Sequence, residues 1–329
     1  MDELDNQKLT LVARKPCFGL PTACPSCLPV YIYLRFAQVP FDLSFNLIHP
    51  DSDQIPYIES GAYVAYNNEK GGVLESLKED GIIDLDSQLH AIPEWLSMKV
   101  MISTWLEEAI MYELWVCSDG SSAKKIYYSD LPWPIGKILY FKQIHAVKQL
   151  LGITKDNAER REEEIHRRAT IAYGALSTRL GEQTFFFENR PSGVDALFLG
   201  HALFTLQALP DTSVLRSKLL EHSNLVQYAE KLKTEFMEAG SSSSSVPRFP
   251  AEPSSSTSRR GPSNWSKILS LFKFISYHFN HLNFDEVNRF KAAFTAYLHI
   301  SKPWFCISVR SCKLLVLAYL NELPFVNNG

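Results

Sequence analysis

Apolar and polar residues alternate over short runs in the first third of the chain. LTLVARKP predicts a strand from Leu9 to Ala13, stopped by Pro16. FDLSFNLI places Phe41, Leu43, Phe45 and Leu47 on one side of a second strand. QIPYIES and GAYVAYN predict two further short extended pieces. Between the first two strands, Cys24 to Ala37 reads as a helix, with Pro25 in the first turn where a missing N–H costs nothing. Pro29 gives up one hydrogen bond in that helix unless its true start is Cys27. GGVLESLKEDGI predicts a short helix closed by Gly81. The order strand, helix, strand, strand, strand, helix suits one α/β unit with the first helix buried on a mixed sheet.

From Pro93 onward the period changes to that of helices. In PEWLSMKVMISTWLEEAIMYELWVC, the residues Trp95, Val100, Met101, Trp105, Ala109 and Tyr112 form one expected apolar face. WPIGKILYFKQIHAVKQLLG follows, with Gly152 as its stop. KDNAERREEEIHRRATIAYGALSTRLGE is charged in its first half, PSGVDALFLGHALFTLQALP is nearly all apolar, and LLEHSNLVQYAEKLKTEFME supplies one or two more helices. No strand pattern interrupts the run, so this part reads as all-helical. The divisions expected are 1–86, 87–239, a Ser/Pro-rich linker at 240–264 and an apolar tail at 265–329. In the tail, WSKILSLFKFISYHF has an apolar face beside lysines, and Arg310 and Lys313 cut PWFCISVRSCKLLVLAYL. Neither segment reads as a clean spanning helix. Reversible membrane-surface contact through 265–320 is the expectation.

Composition narrows the classes. The formal net charge of −3 gives no support for nucleic-acid binding. MDELDNQK lacks the features of a cleaved secretory or mitochondrial leader. Six cysteines in 329 residues are too sparse for a disulfide scaffold, so a reducing compartment is expected. HExxH, GxxxxGK[ST] and GxSxG are all missing, which removes the minimum parts of a metalloprotease, a P-loop NTPase and a serine hydrolase.

Six places carry candidate chemistry or its bland alternative. Cys24-Pro25-Ser26-Cys27 is a dithiol at a helix start, where orphan amides favour thiolate; Cys24 would be the nucleophile and Cys27 the resolving thiol. The other reading is two small apolar residues packing the helix start. Zinc is not expected: Cys17, Cys24 and Cys27 lack a fourth ligand at useful spacing, His49 being distant. Pro56 opens a strand opposite the thiols, as a ligand-pairing edge or a plain turn. Gly71–Gly72 with Glu75 and Ser76 could hold a carboxylate or form a simple turn. Ser192-Gly193-Val194-Asp195 has capping-box spacing, which makes Ser192 and Asp195 structural. His201 reads as a satisfied core histidine. The run from Glu159 to Arg168 reads as a solvated face, with partner docking as the functional alternative.

Three blocks in order, ACPSCLPVYIYLRFAQVPFDLSFN, DSDQIPYIESGAYVAYNNEKGGVLESLKEDGI and NRPSGVDALFLGHALF, resemble plant members of the metaxin family, from about Leu9 to about Glu238. The resemblance implies an α/β thioredoxin-like N-terminal domain followed by an all-α glutathione S-transferase C-terminal-like domain, with Ile55–Pro56 cis. It implies a non-enzymatic protein on the cytosolic face of the mitochondrial outer membrane, without a cofactor. Partners implied are other import and assembly subunits, the β-barrel sorting machinery and precursor proteins. The likeness fades near Trp265, so the tail does not match the apolar anchor usual in such proteins. YVAYNNEK intervenes before GGVLES, so the acid and serine of a glutathione site are not reproduced in place. The alternatives are a glutathione-dependent thiol oxidoreductase or transferase using Cys24, and a soluble adaptor.

Overall fold

A computed structural model describes residues 8–238, apart from 48–51, 70, 133 and 188. The expectations for 240–264 and 265–329, and for His49, lie outside the described residues.

Four strands form one sheet: β1 (Leu9–Ala13), β2 (Phe41–Phe45), β3 (Tyr57–Ser60) and β4 (Tyr63–Tyr66), in the order β2-β1-β3-β4. β1 runs parallel to β2, with Leu9 opposite Phe41 and Ala13 opposite Phe45. β3 is antiparallel to both β1 and β4. α1 (Cys27–Phe36) connects β1 to β2, and α2 (Gly72–Glu79) follows β4. α1 begins at Cys27, not Cys24. Pro29 is therefore its third residue, where an amide has no intrahelical acceptor to lose. Gly81, at φ +67, turns the chain out of α2; the amides of Gly81 and Ile82 return to the carbonyls of Lys78 and Leu77.

The helical part begins with α3 (Pro93–Met101) and α4 (Glu107–Tyr112). Wider π turns at Ile102–Leu106 and Glu113–Cys117 continue them. Trp95, Ala109 and Tyr112 of the expected face are buried, and the rest of it is corrected. Val100 is 50% exposed, and Met101 and Trp105 are only half-buried, while Ile102, Leu106, Ile110 and Leu114 lie in the core. Val100 stands in α3 five residues after buried Trp95, off that side of a 3.6-residue helix, whereas Ile102, seven after, returns to it; the wider turns then carry the buried stripe on through Leu106, Ile110 and Leu114. The sequence reading also missed α5 (Ser121–Ala123) and the π turn Lys124–Tyr128. Then come α6 (Ile135–Leu150), α7 (Ala158–Leu180), α8 (Gly193–Gln207), α9 (Val214–Leu220) and α10 (Ser223–Leu232).

α8 is buried nearly all round, as its composition demands. It packs on α1. At the crossing a Cβ on Gly200 would stand 2.7 Å from the Pro29 ring, so a residue without a side chain sets the approach of the two helices. One apolar core runs from Leu11 and Ile58 in the sheet, through Leu28 and Ile32 of α1, to Phe198 and Leu203 of α8.

Candidate functional site

The thiol pair lies where β1, α1 and the Lys124–Tyr128 turn meet. The Cys24 carbonyl accepts the amides of Cys27 and Leu28 at 3.1 and 3.0 Å, so Cys24 sits in the turn that feeds α1. Ser26, the residue before the helix, makes no side-chain cap. The Cys24 thiol is pulled down to about 6. The largest cause is its hydrogen bond with the Cys27 thiol; burial opposes the shift, and the Tyr127 hydroxyl and the Arg14 charge add to it. Burial and the neighbouring Cys24 push the Cys27 thiol well up. The pair is thus polarised, with Cys24 the better anion.

Access decides what this polarity can do. Cys24 is 4% exposed and Cys27 fully buried. The Tyr127 hydroxyl donates to Cys24 Sγ at 3.4 Å. The Tyr127 ring stacks against Trp115 at 5.2 Å, with the Arg14 guanidinium 5.6 Å from its centre. Arg14 is itself buried and donates to the Ser52 carbonyl at 3.1 Å. A thiolate exchanges with an external disulfide only if the two sulfurs can meet. Here it is burial that limits access, with Cys24 4% exposed and held against the Tyr127 hydroxyl. Tyr127 belongs to a turn with no strong sequence signature, and Arg14 reads from sequence as the polar end of a strand.

The remaining candidates resolve into internal contacts. Ile55–Pro56 is a cis peptide, buried, directly before β3. β3 is paired on both sides across Tyr57–Glu59, so it offers no open edge there. Glu75 accepts from Lys78 at 3.0 Å and from Lys99 at 2.6 Å, and Ser76 Oγ donates to the Gly72 carbonyl at 3.2 Å. Those contacts leave the Gly71–Gly72 turn without the free acid and hydroxyl a ligand would need. Among the described residues, no group of three or more His, Cys, Asp or Glu side chains could hold a metal ion. In the Glu159–Arg168 run, Arg161 pairs with Glu164 at 2.7 Å, and Arg168 pairs with Glu164 and with Glu108.

The most connected polar cluster is at the start of α8. Ser192 Oγ accepts the Asp195 amide at 3.5 Å, and Asp195 accepts the Ser192 amide at 2.8 Å. Asp195 also accepts the Phe186 amide at 2.9 Å and the Tyr228 hydroxyl. Burial pushes its carboxyl up, against the pull of these donors. Beside it Asp86, fully buried, accepts the Gly193 amide at 2.7 Å and pairs with Lys78 at 2.7 Å. A Cβ on Gly193 would stand 2.5 Å from Asp86 Oδ2, so only glycine admits this carboxylate. Lys78 also pairs with Glu75, which joins α2 to the start of α8. Sequence spacing marks Ser192 and Asp195; nothing local marks Asp86 and Lys78, which meet only through the fold. Two turns on, His201 is buried with Nε2 2.6 Å from the Tyr173 hydroxyl, and burial lowers its pKa to about 3.

The chain is similar to known proteins over both parts of the fold. Residues 25–120 match the glutathione S-transferase N-terminal domain, and residues 169–232 the glutathione S-transferase C-terminal domain. The chain is 66% identical over 238 residues to the "Mitochondrial outer membrane import complex protein METAXIN" of Arabidopsis thaliana, covering 72% of this chain and 76% of that protein. It is 27% identical over 223 residues to "Metaxin-2" of Homo sapiens, covering 64% and 81%. Among solved structures it is similar to the glutathione transferase GSTFuA2 of Phanerochaete chrysosporium, with 10% identity and a TM-score of 0.49, covering 70% and 99%. The two domain matches give the architecture: a thioredoxin-like part followed by an all-α transferase-like part.

Proposed function

This chain belongs to the metaxin family, and on that premise we propose that it is a non-catalytic subunit of the protein import and assembly machinery at the mitochondrial outer membrane. The observation that carries the reading is the extent of the likeness to the plant import-complex protein, which spans both parts of the fold. The geometry agrees with a binding role. The thiols that a transferase-like fold would use are buried, Cys24 hydrogen-bonded to Tyr127, and the polar groups at Gly71–Gly72 and Ser192–Asp195 serve the fold itself.

Function then resides in surfaces, and fold alone does not assign a reaction. The finer reading has the chain facing the cytosol, contacting other import and assembly subunits, the β-barrel sorting machinery and precursor proteins. It takes 1–86 and 87–239 as the two working domains. Blue-native electrophoresis of mitochondria tests this directly: the chain should migrate in a large complex, and its depletion should slow β-barrel assembly. Migration only as a free monomer, with normal assembly after depletion, would sink the proposal.

A further inference from the structure

The chain as a whole is slightly acidic, but one stretch is not. From Ser121 to Lys155 there are six lysines, Lys124, Lys125, Lys137, Lys142, Lys148 and Lys155, against one carboxylate, Asp130. Asp130 is paired with Lys15. α6 contains no Asp or Glu at all.

The fold gathers part of this charge around one open basin. A cavity of about 610 Å³ lies between the Ser121–Tyr128 segment and the first turns of α6, lined by Ser121, Lys124, Lys125, Lys137, Tyr140 and Phe141 among others. Lys124 Nζ lies 4.8 Å from the centre of the Tyr140 ring and donates to the Asp119 carbonyl at 3.2 Å. Lys125 Nζ lies 4.4 Å from the centre of the Phe18 ring. Rings and a carbonyl orient these ammonium groups, and the exposed Asp119 carboxylate beside Lys124 offsets part of its charge but leaves the stretch from Ser121 to Lys155 in net excess of lysine. Lys137 is the third residue of α6, in a first turn with no acidic residue and no side-chain cap. A cation there faces the positive end of the helix dipole, an arrangement that an external anion relieves.

The outer face of α6 continues the pattern. Lys137, Phe141, His145 and Lys148 are exposed at spacings of four, four and three residues, which places them along one side. Phe141 is 57% exposed and Leu150, at the helix end, 71%. Lysines interleaved with an exposed aromatic on a helix flank suit a phosphate-rich interface, where the ammonium groups meet headgroups and the ring enters the boundary. An acidic protein segment would answer the charge but not the exposed Phe141 and Leu150.

We propose that the basin and the outer face of α6 form a docking site for the headgroups of an anionic phospholipid bilayer, so that the folded body itself lies against the membrane. This rests on placement at the outer membrane but tests separately: loss of vesicle binding would leave that placement intact. Co-sedimentation of the full chain with phosphatidylcholine vesicles, with and without cardiolipin, reads the site. Binding should require cardiolipin and weaken as salt rises. Each lysine lost should lower partitioning about five-fold, so the triple variant K124Q/K137Q/K148Q should bind about a hundredfold more weakly. Circular dichroism controls for folding, and Phe141→Ser should weaken binding at unchanged charge. Hydrogen exchange separates this face from the tail: cardiolipin vesicles should protect residues 135–150. The proposal is overturned if the triple variant partitions like the native chain or if protection falls on the tail alone. It is equally overturned if the chain binds polyglutamate but not cardiolipin vesicles, which would give the face to an acidic protein partner.

Discussion

α1 and α8 pack together, and their N-terminal ends use opposite chemistry: Ser26 before α1 is exposed, Ser192 before α8 is buried. At α1 the residue before the helix contributes no side-chain cap, and the polar groups nearby are two thiols, a tyrosine and a guanidinium. At α8 a serine and two carboxylates take up the amides of Ser192, Gly193, Asp195 and Phe186. The first end keeps a polarised thiol that is only 4% exposed; the second spends its polar groups on backbone. The contrast teaches that a reactive group and a usable site are separate things. A lowered pKa makes a nucleophile, but exposure makes an active site.

The largest effect should come from breaking the α8 end. Asp86→Ala removes one partner of Lys78, whose side chain is only 6% exposed, and frees the Gly193 amide. Leaving a buried charge short of its partner should cost about 3 kcal/mol, read in chemical denaturation. A loss below about 1 kcal/mol would show that Glu75 and water suffice for Lys78.

Acid should come next. His201 is held neutral, its folded pKa near 3 against an ordinary 6.5. The unfolded chain takes up the proton first, so this contribution is intact above pH 6.5 and shrinks as pH falls toward 3. At pH 5 the loss should be about 2 kcal/mol, and His201→Asn should flatten that part of the stability–pH curve. A slope unchanged by the substitution would place the titrating group elsewhere.

Ser192→Ala tests the cap alone. It should cost about 0.5–2 kcal/mol in thermal unfolding, with import-complex assembly retained. A variant of unchanged stability that fails to assemble would make Ser192 a binding residue instead. The α1 end should show no stability signature, only a kinetic one. In limited alkylation of the native chain followed by mass spectrometry, exposed Cys117 should label before Cys24, although burial raises the Cys117 thiol and Cys24 is lowered to about 6. Tyr127→Ala should reverse the order. Rapid labelling of Cys24 in the native chain would reopen the enzymatic reading.

Much of the architecture was legible in local pattern. Period-two alternation marked β1 and β2, and the apolar run after Ser192 marked α8, because burial of a strand or helix face writes itself at fixed spacing. Elsewhere the reading slipped. Val100, five residues after Trp95, belongs to the outer side of α3, and the short Ser121–Tyr128 segment has too few residues to show a period.

The sequence by itself determined the chemistry available: two thiols three apart before a helix, a serine and an aspartate at capping-box spacing, and a lysine-rich helix without acids. Which of these faces outward depends on long-range packing. Tyr127 lies 103 residues from Cys24 along the chain, and Asp86 lies 107 from Gly193. Pairings that distant leave no local spacing to read, since they are set by how α1 meets the Lys124–Tyr128 turn and how the segment after α2 meets α8, and not by any one segment's own preference.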